Sequence, residues 1–597
     1  MSTYKAPLDD LRFALFDVLG AEAHCAKLGF ADVNRELADA VLEEAARFAE
    51  TVLAPLNKIG DEIGCNFDKA TGDVTPPPGF KQAFDTFVEG GWTGLTNAPE
   101  HGGQGMPALL GGVLTELVDS ANLAWGNFPM LSHGAVKALE TYGEAWQQDV
   151  FLKPLVSGQW TGTMCLTEPH CGTDLGLLKT RAEPQADGTY AVTGTKIFIT
   201  AGEHDLVPNI IHLVLAKLPD APAGAKGISL FVVPKFKVAR DGSVGARNAV
   251  RCGAIEHKMG IHGSATCVMN FDGAEGYLLG EPHKGLQAMF VMMNSARLGV
   301  GVQGLGLSER AYQNALRYAR ERLQSRSLTG PKCPDKPADP LIVQPDVRRM
   351  LLSQKSLVEG GRLLSLHAYS LLDVAEHASD PAERERAHTL VSFLTPISKA
   401  CLTEWSIENT YNALQCFGGH GYIHEHGMEQ YARDARITTL YEGTTGIQAL
   451  DLIGRKTAAT QGAGLKLFLG EVEAFAKQHE GDAALAEFIA PLRSKCQEWG
   501  KLTIDTLTRA ASNPDELGAA STDYLFYSGY VVLAYWWARS VAAVNATSKP
   551  QAFKDAKRDT ARFYFARMLP RTLAHKAAIE AGASPLMALP DAGFGAE

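Results

Sequence analysis

Apolar positions along the chain fall into distinct rhythms. Leu37, Val41, Ala45, Phe48 and Val52 are spaced by threes and fours, which predicts an amphipathic helix within residues 33–57. Pro76, Pro77, Pro78 and Gly79 break that pattern, and residues 99–107, PEHGGQGMP, read as a glycine-rich loop before more helix. Near residue 160 the rhythm changes. YAVTGTKIFIT (190–200), IHLVLA (211–216), ISLFVV (228–233) and TCVMNF (266–271) are rich in β-branched and aromatic residues, with turn-rich segments between them. They predict an antiparallel β-domain. From Lys284 the helical period returns, with Leu286, Met289, Phe290 and Met293 on one face. Helical segments continue to about 456 around a Pro-rich loop at 331–345, and an Ala-, Leu- and charge-rich helical block covers 460–597. The expected organisation is helical (1–159), β (160–280), helical bundle (281–456) and a further helical domain (457–597), an α+β protein.

Composition narrows the function classes. The 597 residues are 46% apolar and 21% charged, an ordinary globular mix. With 56 basic against 67 acidic residues, the net charge of −11 gives no bulk attraction to nucleic acid. One stretch runs the other way. Lys554, Lys557, Arg558, Arg562, Arg567, Arg571 and Lys576 outnumber Asp555 and Asp559, so a DNA-associated role is kept as a minor alternative. The most apolar tract, Tyr530–Ala538, ends at Arg539 and falls short of the roughly 18–20 residues of a membrane span. MSTYKAPLDDLRF has no signal-peptide pattern. Ten scattered cysteines without a C-x-x-C pair argue against a disulfide scaffold or a four-Cys zinc site, and the expected location is cytoplasmic.

Four motifs invite chemical readings. Gly299-x-Gly301-x-x-Gly304 matches a dinucleotide fingerprint, but it lies in a helical stripe with no second strand after it. Close helix packing through small residues is the preferred reading. His420, His424 and His426 cluster in a glycine-rich turn that is more consistent with close backbone approach than with metal ligation, so no metal is expected. MCLTEPHCGTD (164–174) is either a capped turn or a cradle for a polar ring or phosphate. Glu442, in YEGTTG, is either an exposed loop glutamate or a buried carboxylate able to act as a base.

These segments also occur in a fixed order: TEPHCGTD, KIFIT, NSAR, YARERLQ, QCFGGHGY, RDAR and YEGTTGIQ. In this the chain resembles the acyl-CoA dehydrogenase family over residues 35–456. Its opening and its C-terminal block resemble a larger bacterial subgroup that includes broad fatty acyl-CoA and 3-(methylthio)propanoyl-CoA dehydrogenases. The resemblance implies the acyl-CoA dehydrogenase fold: a helical N-terminal domain, a central β-domain, a C-terminal helical bundle and an extra helical domain. It implies FAD, an acyl-CoA substrate, an electron-transfer flavoprotein as electron acceptor, and a homodimer. It assigns Glu442 as the catalytic base. Cofactor contacts fall on Met164, Leu166, Thr167, Thr173, Phe198, Ile199, Thr200, Arg322, Gln415, Gly419 and Thr444. Asn294, Arg297 and Gly443 fall at the substrate. Two positions depart from the family's R-x-Q-F-G: Ser325 replaces the aromatic and Arg326 the glycine. Phe198 stands where a tryptophan is usual, and Ala296 excludes a base on the helix around 294–297. The implied reaction is α,β-desaturation of a fatty acyl-CoA to the trans-2-enoyl-CoA, with 3-(methylthio)propanoyl-CoA as the alternative substrate. An acyl-CoA oxidase, recognised by peroxide release, is the same-class alternative.

Overall fold

A computed structural model describes residues 3–595. The chain divides into two compact units. One comprises residues 47–106 and 117–299, the other 1–46, 107–116 and 300–597.

The first unit is built on a seven-stranded sheet. Its order is Val250–Ile255, Thr266–Leu279, Tyr190–Thr200, Arg181–Pro184, Asn209–Lys217, Trp160–Cys165, and Ile228–Pro234 pairs with both Thr266–Leu279 and Asn209–Lys217. The sheet was expected to be antiparallel, and most pairings are. Trp160–Cys165 runs parallel to Asn209–Lys217, however, and Arg181 pairs in parallel with Lys217. The chain leaves the first strand through a long excursion before Asn209–Lys217 begins, which is the crossover a parallel pair requires. Asn209–Lys217 and Ile228–Pro234 are buried almost throughout, so their near-continuous apolar runs are those of central strands. Leu213, Leu215, Leu230, Val232 and Tyr277 pack with Leu139, Phe151, Leu152 and Met292 into one apolar core.

The second unit is helical, with long helices Pro345–His377, Pro381–Cys416, Ala483–Ala510 and Asp515–Ala546. Asp515–Ala546 contains the apolar tract seen in the sequence and is buried on nearly every side, as expected for a core helix. No helix of the described residues is long and apolar enough to cross a membrane. Gly529 lies so close to Cys401 that a Cβ would meet the sulfur at 2.4 Å. The glycine triplet is helical as expected: a Cβ at Gly301 would approach the Ser398 carbonyl at 3.2 Å, and one at Gly304 the Leu402 carbonyl at 2.7 Å.

Buried ions tie this unit together. Arg362, 1% exposed, binds Asp10, Glu116 and Glu309. Lys557 binds Asp10 and Glu359, joining the N-terminal segment to the C-terminal helix Gln551–Phe563. The basic run at 554–576 is therefore largely spent internally. Arg571 forks onto Glu408 at 2.7 and 2.8 Å, Arg562 reaches Glu487 at 3.0 Å, and Lys576 reaches Glu498 at 2.8 Å. That arrangement removes the feature on which the DNA-associated alternative rested.

Candidate active site

In the sheet unit, the strand Trp160–Cys165 delivers Met164 and the loop that follows it. Leu166 is buried, Thr167 half-buried and Thr173 exposed. Beneath the loop lies a residue pair given no role by the sequence reading. The Lys196 ammonium, fully buried, donates to the Leu166 carbonyl at 3.0 Å and to Glu168 Oε1 at 2.8 Å. The amides of Lys179 and Thr180 donate to the same carboxylate at 2.7 and 3.0 Å. Burial alone would raise the Glu168 carboxyl, but Lys196 and these donors hold it below its usual range. The signal was a lysine inside the β-rich KIFIT, where burial demands a partner.

Thr167 meets the strand Tyr190–Thr200 through its carbonyl, which accepts from the Ile197 amide at 2.9 Å. At that point the ladder slips: Lys196 opposes Met269 and Ile199 opposes Cys267, so Ile197 and Phe198 together face Val268. Phe198 occupies the bulge at φ 59°, a conformation that favours glycine, and its ring is 59% exposed. Phe198 thus turns its side chain outward beside the hydroxyl-bearing loop. Ile199 is buried and Thr200 half-buried beside it. In the same unit, Asn294 is exposed and Arg297 is 5% exposed.

The helical unit holds the other site residues in two groups. Arg322 is exposed just beyond the helix Gly285–Glu321. Tyr318, one turn earlier, stacks on Phe417 with ring centres 4.1 Å apart and bonds His420 at 2.8 Å. This contact packs the end of the helix Gly285–Glu321 against the turn after Pro381–Cys416; Gln415, in the last turn of the latter helix, and Gly419, just beyond it, are exposed. A Cβ at Gly418 or Gly419 would meet nothing, so that backbone lies open, whereas one at Gly421 would strike the Leu414 carbonyl at 2.3 Å. The histidine cluster serves this turn, with His424 bonded to Glu429 at 2.6 Å.

The replaced residues of R-x-Q-F-G organise the following loop. Ser325 takes φ 64°, and Arg326 donates to the Cys333 carbonyl at 2.9 Å and to Asp339 at 3.3 Å. Asp339, fully buried, also accepts from the amides of Ser327, Lys332 and Cys333 at 2.8–2.9 Å. Those backbone donors hold its carboxyl down at about 2.

Glu442 belongs to the second group. It is half-buried between the helices Met428–Thr438 and Thr445–Leu450. Gly443 turns the chain at φ 75°. Thr444 caps the next helix, its hydroxyl accepting from the Ile447 amide at 3.4 Å. Thr445 donates to Glu404 at 2.5 Å, about 16 Å before Gln415 along Pro381–Cys416.

Comparison with known proteins decides the family. Family models match in chain order: acyl-CoA dehydrogenase N-terminal domain (35–159), middle domain (163–274), C-terminal domain (283–457) and an acetyl-CoA dehydrogenase C-terminal-like domain (468–590). The chain belongs to the acyl-CoA dehydrogenase family. It is an FAD-dependent oxidoreductase acting on CH–CH bonds. The 3-methylmercaptopropionyl-CoA dehydrogenase of Ruegeria pomeroyi is 43% identical over 93% of both chains. The broad-specificity linear acyl-CoA dehydrogenase FadE5 of Mycobacterium tuberculosis is 33% identical over the full length of both. Among solved structures, Caenorhabditis elegans ACDH-11 in complex with C11-CoA shares the fold, with TM-score 0.77 and 19% identity over 94% of this chain and 91% of that one.

Within the sheet unit the residues present fit an acyl-CoA dehydrogenase flavin: the exposed Phe198 side chain offers an apolar wall, and Thr167 and Thr173 offer hydroxyls.

Proposed function

We propose that this chain desaturates short linear acyl-CoA thioesters, with Glu442 as the base that removes the α-proton. The observation that carries this reading is the Glu442 loop: a half-buried carboxylate beside a left-handed glycine, with the loop tethered on both sides. Bound FAD supplies the hydride acceptor for the β-hydrogen. The carboxylate of Glu442 takes the α-proton, and its half-buried setting limits competing water. Met164, Leu166, Thr167, Thr173, Phe198, Ile199 and Thr200 would hold the flavin ring. Arg322, Gln415, Gly419 and Thr444 would hold the rest of the cofactor. Asn294, Arg297 and Gly443 would face the acyl chain.

Short chains are favoured by the names of the similar proteins. Besides the Ruegeria enzyme, a butyryl-CoA dehydrogenase of Syntrophomonas wolfei is 34% identical over 99% of both chains. A thioether sulfur takes about the space of a methylene and is similarly apolar, so a pocket shaped for a short linear chain also admits 3-(methylthio)propanoyl-CoA. An electron-transfer flavoprotein is the proposed electron acceptor; one similar protein is a subunit of a caffeyl-CoA reductase–Etf complex. A homodimer is proposed from the exposed Tyr422, Ile423 and Leu440 on the helical unit, with Arg322 reaching the partner's cofactor. Ten unpaired cysteines fit the cytoplasm.

A panel of saturated acyl-CoAs from propanoyl to dodecanoyl, with 3-(methylthio)propanoyl-CoA, assayed with an artificial electron acceptor, tests the proposal. The expected maximum of kcat/KM lies at butanoyl, pentanoyl and 3-(methylthio)propanoyl. A maximum at dodecanoyl would overturn the short-chain reading, and peroxide as the main product would turn the enzyme into an oxidase.

A further inference from the structure

The segment that carries Glu442 has no regular structure of its own, yet proton transfer tolerates little misplacement of the base. The residue immediately before the base is held by a different helix. The hydroxyl of Tyr441 donates to Oε1 of Gln303. Gln303 is fully buried within Gly285–Glu321, where a polar amide is costly unless it is bonded. Its seat is rigid, because Gly301 and Gly304 on either side press the helix against Ser398 and Leu402. On the other side of the base, the Gln448 amide donates to the Gly443 carbonyl at 3.3 Å.

We propose that Gln303 is a positioning residue for the reaction: through the Tyr441 hydroxyl it fixes the direction in which Glu442 presents its carboxylate. The chemistry of the anchor suits that task. A neutral amide accepts from a phenol without placing a fixed charge beside a group that must gain and lose a proton. The proposal rests on the reading of Glu442 as the base.

The test compares Tyr441→Phe, Gln303→Met, the double variant and Glu442→Gln, all flavin-loaded. Anaerobic bleaching by butyryl-CoA gives a saturating rate and a half-saturating concentration. Loss of deuterium from α-deuterated butyryl-CoA reads proton removal separately. Each single variant should lower the saturating rate and the deuterium loss by about 10–100-fold, with flavin content unchanged and the half-saturating concentration within about threefold. Because both variants cut one bond, the double variant should be no more than about threefold worse than the poorer single. Singles within about threefold of the parent, losses that multiply in the double, or an effect confined to the half-saturating concentration would overturn the proposal. If Gln303→Met loses flavin, Tyr441→Phe decides alone, since it removes only a hydroxyl. If Glu442→Gln bleaches at the parent rate, the base assignment falls and the anchor falls with it.

Discussion

Two loops of this protein do similar work by opposite means. The loop after Trp160–Cys165 rests on a buried ion pair, Lys196–Glu168, whose ammonium also holds the Leu166 carbonyl. The contacts beside the base in the loop around Glu442 include two neutral ones, Gln303 on Tyr441 and Gln448 on Gly443. Its charged anchors attach further out, Lys399 on the Thr438 carbonyl at 2.8 Å and Glu404 on Thr445. The difference follows from what each loop supports. A loop that only has to be rigid can use a full charge pair, which is strong when every partner is satisfied. A loop that presents a general base cannot carry a fixed charge beside it without moving the base's own proton affinity.

Breaking the ion pair should have the largest effect. Lys196→Met leaves Glu168 buried without its cation and should destabilise the sheet unit by about 3–5 kcal/mol, with loss of flavin. Adding Glu168→Gln should recover most of that loss. Denaturant unfolding and flavin retention check both, and a Lys196→Met protein within about 1 kcal/mol of the parent would contradict the account.

Acid should separate the two units next. His204 and His212 lie fully buried in the sheet unit, where Thr161 and Thr163 bond them at 3.1 and 2.8 Å. Burial, reinforced by Lys235, pushes both imidazoles down to about 3. Unfolding lets them take protons at their usual value near 6.5, so the unfolded state gains protons and stability falls as pH drops from 6.5 toward 3. Each imidazole costs about 1.4 kcal/mol per pH unit in that window. The helical unit has one comparable group among the described residues, His367, also at about 3. Hydrogen exchange at pH 7 and pH 5 should show the sheet unit losing more protection, and equal loss in both units would contradict this.

Gly443→Ala probes the neutral loop and should have the smallest effect on stability. An alanine at φ 75° costs about 1–2 kcal/mol. Its mark should fall on the bleaching rate, with flavin content kept, whereas flavin loss as severe as in Lys196→Met would remove the distinction between the two loops.

Much of this was legible in the sequence, and the reasons differ from place to place. The helical block at 460–597 was visible in its Ala-, Leu- and charge-rich pattern, and the glycine triplet because it sat in a helical rhythm. The motifs located the loops at 166–174 and 441–446 because glycine, threonine and acid recur there in tight spacing. What holds those loops was not legible. Lys196 lies 28 residues from Glu168 and Gln303 lies 138 from Tyr441, and no periodicity links such distant partners. The parallel pairing of Trp160–Cys165 was hidden for the same reason, since strand direction is set by the path between strands. The basic run at 554–576 misled because a one-dimensional count of charge cannot see Asp10, Glu359, Glu408, Glu487 and Glu498 folded against it.

The central claim is that Glu442 removes the α-proton, and anaerobic bleaching of Glu442→Gln tests it most directly. The glutamine keeps shape and hydrogen bonding but cannot accept the proton. The variant should stay yellow and bind acyl-CoA, and its flavin should bleach at least about 10²–10⁴-fold more slowly than the parent's, since Ala296 offers no second carboxylate on the helix around 294–297. Bleaching within a few-fold of the parent rate would mean that another group takes the proton.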